Sequence, residues 1–463
     1  MSYDVLTSGT ISVTSSVTSP SGTTYVLLGP AVTLDVSNGG SVTGVLDDGG
    51  TLVVAAGGSE TSAIVSGGTE YVYGTATATS ILNSSEQHVY GGTATGAIVD
   101  ASSFQDIAFG GAAIGTLLSG AQQVLDGGTA THTSVLAGAF EYVGNAGTAN
   151  GSIVSANGFQ YVDVGGVANT TQLSGIQADF GAANATSVNT NGMQLILGTA
   201  DGSVVYGGGS ATVQYTGVAT NMSIEGGGFV WVANGGTLNN TALAGNLQIL
   251  ANGVSNGDQV LHGGDEYVGA QAVSNSSVVN NGAEQYVDSG GSTNNAVIDG
   301  GFQFVAAGST ATGTTVNSGV SDVVGTSSNT TLSGGAEVVD TGGTQNNLNF
   351  SGAPSTLYLN SAPELTGTVS GFSVGDTINF LNQTFSSATF DGSTLTVGNG
   401  SSTYNYSFAN METGTELVLT TNGAGGAALV LLAQASAVQS PPQSTFTWNI
   451  PVESNQSTLA AAH

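Results

Sequence analysis

Residues 158–175 read GFQYVDVGGVANTTQLSG, and residues 282–298 repeat the same order as GAEQYVDSGGSTNNAVI. In both units a short β-prone run ends in valine, paired glycines follow, and two further short runs complete the unit. Glycine supplies the positive φ values that tight corners need. No stretch keeps an apolar period of 3.6 residues, so helix is not expected. The repeat therefore predicts short strands joined at glycine corners.

The repeat has one central apolar position in each unit, with a spacing of 17 to 19 residues wherever the register is clear. These positions are Val72, Val89, Ile107, Val124, Val143, Val162 and Phe180, and then Ile249, Val268, Val287, Val305 and Val323. Between residues 181 and 248 the register is unclear. A single unit cannot bury its apolar face, but stacked units can. We therefore predict an all-β fold, a parallel β-solenoid of about 16 or 17 coils whose strands lie about 4.8 Å apart.

Side-chain alternation indicates what points inward. Two residues before the central position stand Glu70, Gln87, Gln105, Gln122, Glu141, Gln160, Glu266, Gln285 and Gln303. They share the parity of the central residue, so they lie on its side of the strand, where stacked glutamines can form an amide ladder. The position in between tolerates Asp106 and His88 and is predicted to face outward. Its aromatic members form a candidate surface stripe, which is either solvated or a contact surface: Tyr71, Tyr142, Tyr161, Tyr267, Tyr286 and Phe304.

The composition excludes several classes of function. The chain has 463 residues, 73 glycines, no cysteine, no lysine and no arginine, and a formal net charge of −30. Nucleic-acid binding and docking on anionic lipid both depend on Lys and Arg, so neither is expected. The longest apolar run, Ala427 to Ala433, is far shorter than the roughly 20 residues that span a bilayer. No membrane insertion is therefore expected.

No site chemistry stands out, so no enzyme, cofactor or metal site is predicted. The four histidines are far apart in sequence, and no G-x-S-x-G motif occurs. The adjacent acidic pairs Asp47-Asp48 and Asp265-Glu266 are expected to be solvated turns. Two alternatives stay open: Ca²⁺ collected by carboxylates at contacts between chains, and a hydrolase carboxylate pair formed by Asp163 with a neighbouring rung.

The units Gly67 to Val72 and Gly91 to Gly96, in the order G-G-T-x-x-V and then G-G-T-A-x-x-T/G-x-V, resemble the repeats of AIDA-type adhesins, the passenger regions of self-associating autotransporters. The resemblance covers about residues 40–350. It implies a right-handed β-helix outside the cell that acts in adhesion, autoaggregation or biofilm. No segment resembles a membrane β-barrel. The segment Val369 to Phe380 resembles a terminal module of glycine-rich proteins exported without an N-terminal signal, which implies a type I-like secretion route.

Four segments are predicted: a β cap or assembly segment at 1–40, solenoid repeats at 41–351, a C-terminal β module or cap at 352–435, and a proline-containing tail at 436–463. The tail is a linker, a donated strand or part of an export signal. The leading hypothesis is a secreted structural protein of a bacterial surface. It would self-assemble into a filament, sheet or matrix through solenoid ends and lateral contacts. The alternatives are an adhesin that binds glycans or cell-surface components and, less favoured, a β-helix polysaccharide hydrolase.

Overall fold

The computed structural model describes residues 3–6, 9–13, 24–29, 31–422 and 425–433. They form an all-β parallel solenoid of about 19 turns with a period near 18 residues, which confirms the predicted fold class. There are more turns than the 16 or 17 expected, because parallel pairing extends into both flanking segments. Each turn runs through three short strands, and we name the three resulting sheets faces A, B and C in chain order.

Face A holds the strands that end near the central position. Its strands are Gly9–Val13, Val32–Val36, Thr51–Val54, Thr69–Val72, Glu86–Tyr90, Phe104–Ala108, Ala121–Val124, Phe140–Val143, Phe159–Val162, Ile176–Asp179, Met193–Ile196, Ser210–Gln214, Phe229–Ala233, Asn246–Ile249, Asp265–Val268, Glu284–Val287, Ala336–Val339, Thr356–Leu359 and Thr377–Phe380.

Face B follows the first corner of each turn. Its strands are Ser41–Thr43, Ser59–Thr61, Thr75–Thr77, Thr93–Thr95, Ala112–Ile114, Thr129–Thr131, Thr148–Asn150, Val167–Asn169, Ala182–Asn184, Thr199–Asp201, Val218–Thr220, Thr237–Asn239, Val254–Asn256, Val273–Asn275, Ser292–Asn294 and Thr310–Thr312.

Face C closes each turn. Its strands are Tyr3–Leu6, Thr24–Leu28, Leu46–Asp48, Ile64–Ser66, Ser80–Leu82, Ile98–Val99, Leu117–Leu118, Ser134–Val135, Ile153–Val154, Gln172–Leu173, Ser187–Val188, Val204–Val205, Ser223–Ile224, Ala242–Leu243, Gln259–Val260 and Val278–Asn280. Five longer strands continue around a corner: Val297–Val305, Thr315–Val323, Thr326–Leu332, Thr344–Phe350 and Leu365–Ser370.

The central positions form one buried column along face A. Val143 pairs in register with Val162, and Val268 with Val287, and all four are 0% exposed. One assignment was wrong: Asp179, not Phe180, stands next to Val162, because that turn has 17 residues and the two turns before it have 19. The unclear stretch keeps the same column, which continues through Ile196, Val213, Val232 and Ile249.

The glycine pairs are required by close approach between turns. Gly165 has a φ of +82°, which side chains rarely adopt. A Cβ on Gly166 would lie 2.2 Å from the carbonyl oxygen of Val143 in the preceding turn. A larger residue would therefore push two turns apart at this corner, and glycine is retained there for steric reasons.

Parallel pairing continues past residue 352, where the sequence changes character, as far as Thr377–Phe380. The last described strands form antiparallel pairs: Ser387–Phe390, Thr394–Gly398, Thr403–Ala409, Thr415–Thr421 and Ala427–Ala433. Thr403–Ala409 also pairs in parallel with Leu365–Ser370. Ala427–Ala433 pairs antiparallel with Thr377–Phe380 and so covers the last strand of face A. A single 3₁₀ turn, Ala362–Glu364, interrupts the strands. The proline-containing tail at 436–463 lies outside the described residues.

None of the described residues form a helix that is long and apolar enough to cross a membrane.

Candidate functional site

The predicted aromatic stripe lies in one outward column of face A. Its six members fall into three groups along the rod: Tyr71 alone, then Tyr142 with Tyr161, then Tyr267, Tyr286 and Phe304. Between these groups the same column carries non-aromatic side chains, apart from His88 beside Tyr71 and Trp231 farther along. The column is continuous in register, but its aromatic character is not.

Adjacent rings of this face stack along the rod axis. Tyr142 and Tyr161 have centroids 5.7 Å apart and planes 9° apart, and Phe140 and Phe159 have values of 5.5 Å and 9°. Tyr71 stacks on His88 at 5.0 Å. Each ring therefore covers one face of its neighbour, so free ring faces remain only where a stack ends.

The outward side of face A carries an apolar patch between the strands Phe104–Ala108 and Phe229–Ala233, interrupted at Ser210–Gln214, whose outward side chains are polar. Its members are Phe104, Leu125, Phe140, Tyr142, Phe159, Tyr161, Ile176, Phe180, Met193, Leu195, Leu197, Phe229 and Trp231. Several of these side chains are exposed by more than a third, including Phe140, Phe180 and Met193. We call this set the apolar patch.

Most of the patch was missed from sequence. Three residues before the central position, on the same outward side as the tyrosines, stand Phe140, Phe159, Ile176, Met193 and Phe229. The repeat carries these apolar residues in a second outward column, which the predicted aromatic stripe did not include. The unclear register between residues 181 and 248 hid the remainder.

Two acids lie at the outer side of this patch, and both are hydrogen-bonded. Tyr142 Oη donates to Asp163 Oδ2 at 2.6 Å, which raises the pKa of Tyr142 to about 12 and lowers that of Asp163. Tyr90 Oη donates to Asp106 Oδ2 at 2.6 Å, and His88 Nδ1 lies 3.4 Å from the same oxygen. The hydroxyls therefore hold the carboxylates in place at the surface.

A groove crosses the patch at the strand Ala121–Val124. It has a volume of about 370 Å³, and its walls are Phe104 on one side and Phe140 with Tyr142 on the other. Ala121 and Gln123 form the floor, and Leu125 closes one end. Phe104, Ala121 and Phe140 occupy one column on three successive turns. The groove thus lies where this column has alanine in place of an aromatic ring.

The interior of the solenoid contains a second unusual feature, a set of fully buried carboxyl groups. All are 0% exposed: Asp47, Glu60, Glu70, Glu141, Asp179, Asp258, Glu266 and Glu337. The expectation that Asp47 and Glu266 belong to solvated turns was therefore wrong, because both alternate inward with the core of their strands. Asp48 and Asp265, their neighbours, are exposed.

The predicted amide ladder is confirmed in the interior. Gln87 Nε2 donates to Glu70 at 2.7 Å, and Gln105 Nε2 donates to Gln87 Oε1 at 2.5 Å. Gln122 continues the ladder by donating to Gln105. Thr116 Oγ1 also donates to Gln105 Oε1 at 3.1 Å. Gln87 and Gln105 thus each donate to the turn before and accept from the glutamine of the turn after.

Two further ladders begin in the same way at a carboxyl group. Gln160 donates to Glu141 at 2.7 Å, and Gln285 donates to Glu266 at 2.7 Å. In a further case a single glutamine, Gln194, donates to the carboxyl group of Asp179 at 2.9 Å. A carboxyl that starts each ladder accepts from the glutamine of the next turn.

Burial raises the pKa of these carboxyl groups, since the chain has no cation to pair with them. It raises the pKa of Asp47 to about 6 and those of Asp179 and Glu337 to about 7. Burial also raises the pKa of Glu70, and the nearby Glu60 adds to the effect. The folded rod therefore holds protons at neutral pH that the unfolded chain would release.

Face B differs from face A on its outer side. Asn169 Nδ2 donates to Asn150 Oδ1, and Asn184 Nδ2 donates to Asn169 Oδ1, each at 2.9 Å. A second such ladder joins Asn256, Asn275 and Asn294. This outer column satisfies its amide groups within the chain and offers a polar surface.

The described residues contain no group of three or more His, Asp or Glu placed to hold a metal ion. The carboxylate pair considered for Asp163 does not form with the next turn, where Phe180 follows the paired position. The prediction that the protein is not an enzyme remains a prediction.

No family model and no curated protein matches the chain. Among solved structures, the chain is similar to the crystal structure of a TibC-catalysed, hyper-glycosylated TibA fragment, 55–350. The two are 28% identical, with a TM-score of 0.48, over 63% of this chain and 97% of that one.

Proposed function

We propose that this protein is an extracellular structural protein of a bacterial surface, and that its rods self-assemble side by side through the apolar patch on face A. The observation that carries the proposal is the patch itself. Parallel sheets are usually covered on both faces, whereas here one face is packed inside the rod and the outer face carries exposed phenylalanines. A large exposed apolar patch is typical of an interaction surface.

The charge distribution supports contact at this face. The chain carries a formal net charge of −30, so two rods repel each other in most orientations. Across its eight strands the patch carries two acids, Asp106 and Asp163, and both accept hydrogen bonds from tyrosine hydroxyls. Contact through the patch therefore brings together few of the acidic groups that make up the net charge of the chain.

Lateral contact is better supported than contact through the C-terminal end of the solenoid. There the last parallel strand of face A, Thr377–Phe380, already pairs with Ala427–Ala433. A second rod cannot extend face A at this point by adding a parallel turn. Side-by-side association does not disturb the pairing at this end.

Sedimentation velocity over a wide concentration range tests the proposal, together with electron microscopy. We expect the wild-type protein to associate with increasing concentration, and more strongly in acid or with Ca²⁺, which reduce the repulsion. The triple variant Phe140→Ser/Phe159→Ser/Ile176→Ser should remain monomeric. A matched triple on the outer side of face B, Val167→Ser/Val218→Ser/Val254→Ser, should associate like wild type. A wild-type protein that stays monomeric at high concentration would rule the proposal out.

A second candidate, glycan binding, is favoured by the group Tyr267, Tyr286 and Phe304. Tyr267 Oη donates to Asp288 and Tyr286 Oη to Glu284, so rings and carboxylates stand together outside the apolar patch. Apolar rings with a few fixed polar groups are typical of small-ligand sites. Glycan-array binding should disappear in Tyr267→Ser/Tyr286→Ser and persist in the face B triple. Unchanged binding in the double variant would exclude these tyrosines.

A further inference from the structure

One outward column of face A contains two small residues among large apolar ones. It holds the residues three before the central position on the eight strands of the patch, and we call it the phenylalanine column. In chain order its members are Phe104, Ala121, Phe140, Phe159, Ile176, Met193, Ser210 and Phe229. Ala121 is second from one end and Ser210 second from the other. A complementary surface must therefore place large side chains opposite these two positions.

The space over Ala121 has the dimensions of one missing ring. Phe104 and Phe140 flank it two turns apart, about 9.6 Å at the strand spacing of a β-sheet. Phe140 stacks on Phe159 in the following turn, so its other ring face borders the groove. A ring placed halfway lies about 4.8 Å from each neighbour, within the range of stacked aromatic pairs. The groove therefore fits one inserted aromatic ring.

We propose that two copies of this chain pack face A against face A about a two-fold axis along the strand Ile176–Asp179, and that Phe229 of each copy inserts into the groove over Ala121 of the other. This inference rests on the proposed function and specifies the geometry of its first contact. An axis along a strand keeps the strand direction and reverses the order of turns. Each outward column then meets itself, and turns at equal distances from the axis lie opposite each other.

The order of residues in the phenylalanine column decides where the axis lies. Ala121 stands three turns before Ile176 and Phe229 three turns after it, so these two face each other. Phe140 stands two turns before and Ser210 two turns after, so the second small residue also meets a phenylalanine. An axis moved by half a strand spacing towards Phe140 places Ala121 opposite Ser210 and leaves both positions unfilled. The column therefore favours an axis on this strand.

The acids of the patch select the same axis. A residue on the axis strand meets its own copy, and two like charges there would repel each other. An axis on the preceding strand, Phe159–Val162, also fills both small positions, but it places Asp163 opposite Asp163. With the axis on Ile176–Asp179, Asp163 meets Leu197. The outward residues on and directly after the axis strand are uncharged: Ile176, Ala178 and Phe180.

The overlap between copies ends at acidic turns. One turn before Phe104 the same column holds Glu86, and two turns after Phe229 it holds Asp265. Both acids are exposed. They stand five turns from the axis on opposite sides, so Glu86 of one copy faces Asp265 of the other. Cations that screen this repulsion therefore strengthen the contact.

The contact has the size of a specific interface. It covers the nine strands from Phe104–Ala108 to Asn246–Ile249, about 43 Å at the strand spacing, and five residues of strand give a width of about 16 Å. The area is then about 700 Å² on each copy and about 1,400 Å² in total. This exceeds the roughly 1,000 Å² expected of a biological interface.

Distances between spin labels locate the axis, because the chain has no cysteine and single labels can be placed at will. Glu86→Cys and Asp265→Cys each carry one nitroxide at an exposed site five turns from the axis. In the dimer both variants should give the same separation along the rod, about 48 Å, measured by pulsed electron paramagnetic resonance. An axis on Phe159–Val162 gives about 38 Å for Glu86→Cys and about 58 Å for Asp265→Cys. An axis parallel to the rod gives no separation along it.

Affinity tests the inserted ring. Phe229→Ser removes the ring and Ala121→Phe fills the groove from within, so each should weaken the dimer by about tenfold or more, as expected for an interface hot spot. Phe302→Ser is the matched control, because Phe302 continues the same column outside the overlap. Its dimer should be as strong as that of wild type. Circular dichroism and thermal melting of the monomer show whether a variant has lost its fold.

The outcomes separate this geometry from the proposed function. If wild-type rods associate but the two label distances differ, the axis is wrong and lateral assembly stands. If Phe302→Ser weakens the dimer as much as Phe229→Ser, the inserted ring is wrong and lateral assembly again stands. If wild-type rods stay monomeric, the geometry and the proposed function are both wrong. Equal distances near 48 Å, with weakened dimers for Phe229→Ser and Ala121→Phe alone, support the geometry.

Discussion

The turns between residues 86 and 196 and those between residues 205 and 249 share one cross-section but have different interiors. In the first region the position two before the central residue carries a ladder of glutamines. In the second region the same position holds Ala211, Val230 and Leu247, all fully buried. Both regions keep the same parallel register on face A. The backbone pairing and the corners therefore set the turn, and the interior must only match the turn above and below.

A glutamine placed where its neighbours are apolar tests this difference between the two regions most severely. Val230→Gln inserts an amide between Ala211 and Leu247, which offer no side-chain partner. We expect a loss of about 4–6 kcal/mol, since an amide without a side-chain partner on either neighbouring strand and excess volume are buried together. The urea midpoint measured by circular dichroism checks it. Val230→Leu is the control, and a loss below about 1 kcal/mol for Val230→Gln would show that the apolar turns tolerate isolated amides.

The converse change removes one glutamine from the ladder. Gln105→Leu leaves Gln87, Gln122 and Thr116 without their partner in the interior. We expect a loss of about 3–4 kcal/mol, because buried groups that lose a hydrogen bond keep their desolvation cost. The outward Gln123→Leu, one residue after Gln122 and on the opposite side of the strand, should change stability by no more than about 0.5 kcal/mol. Equal urea midpoints for the two variants would contradict the ladder as a stabilising element.

Both regions also differ in what the sequence could predict. The parity rule placed Gln87 and Gln105 inside correctly, because alternation along a strand follows from backbone geometry alone. The rule also placed Glu266 on the inner side, although the pair Asp265-Glu266 was expected to be a solvated turn, and it was not applied to Asp47. The same alternation places one acid of each pair inside. The prediction gave the charge of these residues more weight than their position in the repeat.

The apolar turns show the opposite difficulty. Between residues 181 and 248 no glutamine marks the strand, and turn length varies, so Phe180 was placed one residue out of register. The parallel backbone pairing continues through these turns, since hydrogen bonds between turns do not depend on the inward side chain. The groove over Ala121 could not be predicted, because it needs the strand spacing between three turns and not the pattern of any one of them.

Stability of the polar turns should fall as pH rises. In the unfolded chain carboxyl groups have pKa values near 4, whereas burial raises the pKa of Asp179 and Glu337 to about 7 when folded. Between these values the folded state binds more protons, so the free energy of unfolding is highest below about pH 4 and is lost as pH rises through about 7. Each such group contributes about 1.4 kcal/mol per pH unit over that window.

Asp179→Asn tests this sign. The variant keeps the acceptor for Gln194 but cannot ionise, so it should resemble wild type at pH 4 and be more stable at pH 8. Asp163→Asn, at the outer surface, should not reduce the slope of stability with pH. Hydrogen exchange should also show the turns near Asp179 losing protection at pH 8 before residues 205–249. Uniform loss of protection along the rod would contradict the assignment of the effect to interior carboxyls.

The smallest expected effect concerns the corners, which the two regions share. Phe109→Asn lies in the polar region and Tyr215→Asn in the apolar one, both at positive φ. Asparagine tolerates this conformation better than a bulky aromatic residue. Each variant should therefore stabilise the monomer by about 0.5–1 kcal/mol. Thermal melting at low protein concentration measures the gain. A clear difference between the two variants would show that the composition of the interior affects stability at the corner.

The register of successive turns has a consequence for how such a rod changes size. Excising residues 163–179 would join Val162 directly to Phe180, and Ile196 would then follow Val162 in the central column. The shortened protein would lose about 4.8 Å of length and keep its cross-section. Duplication or loss of one such unit in the gene therefore changes the length of the rod by whole turns. Surface groups beyond the changed unit shift along the rod axis by the same distance.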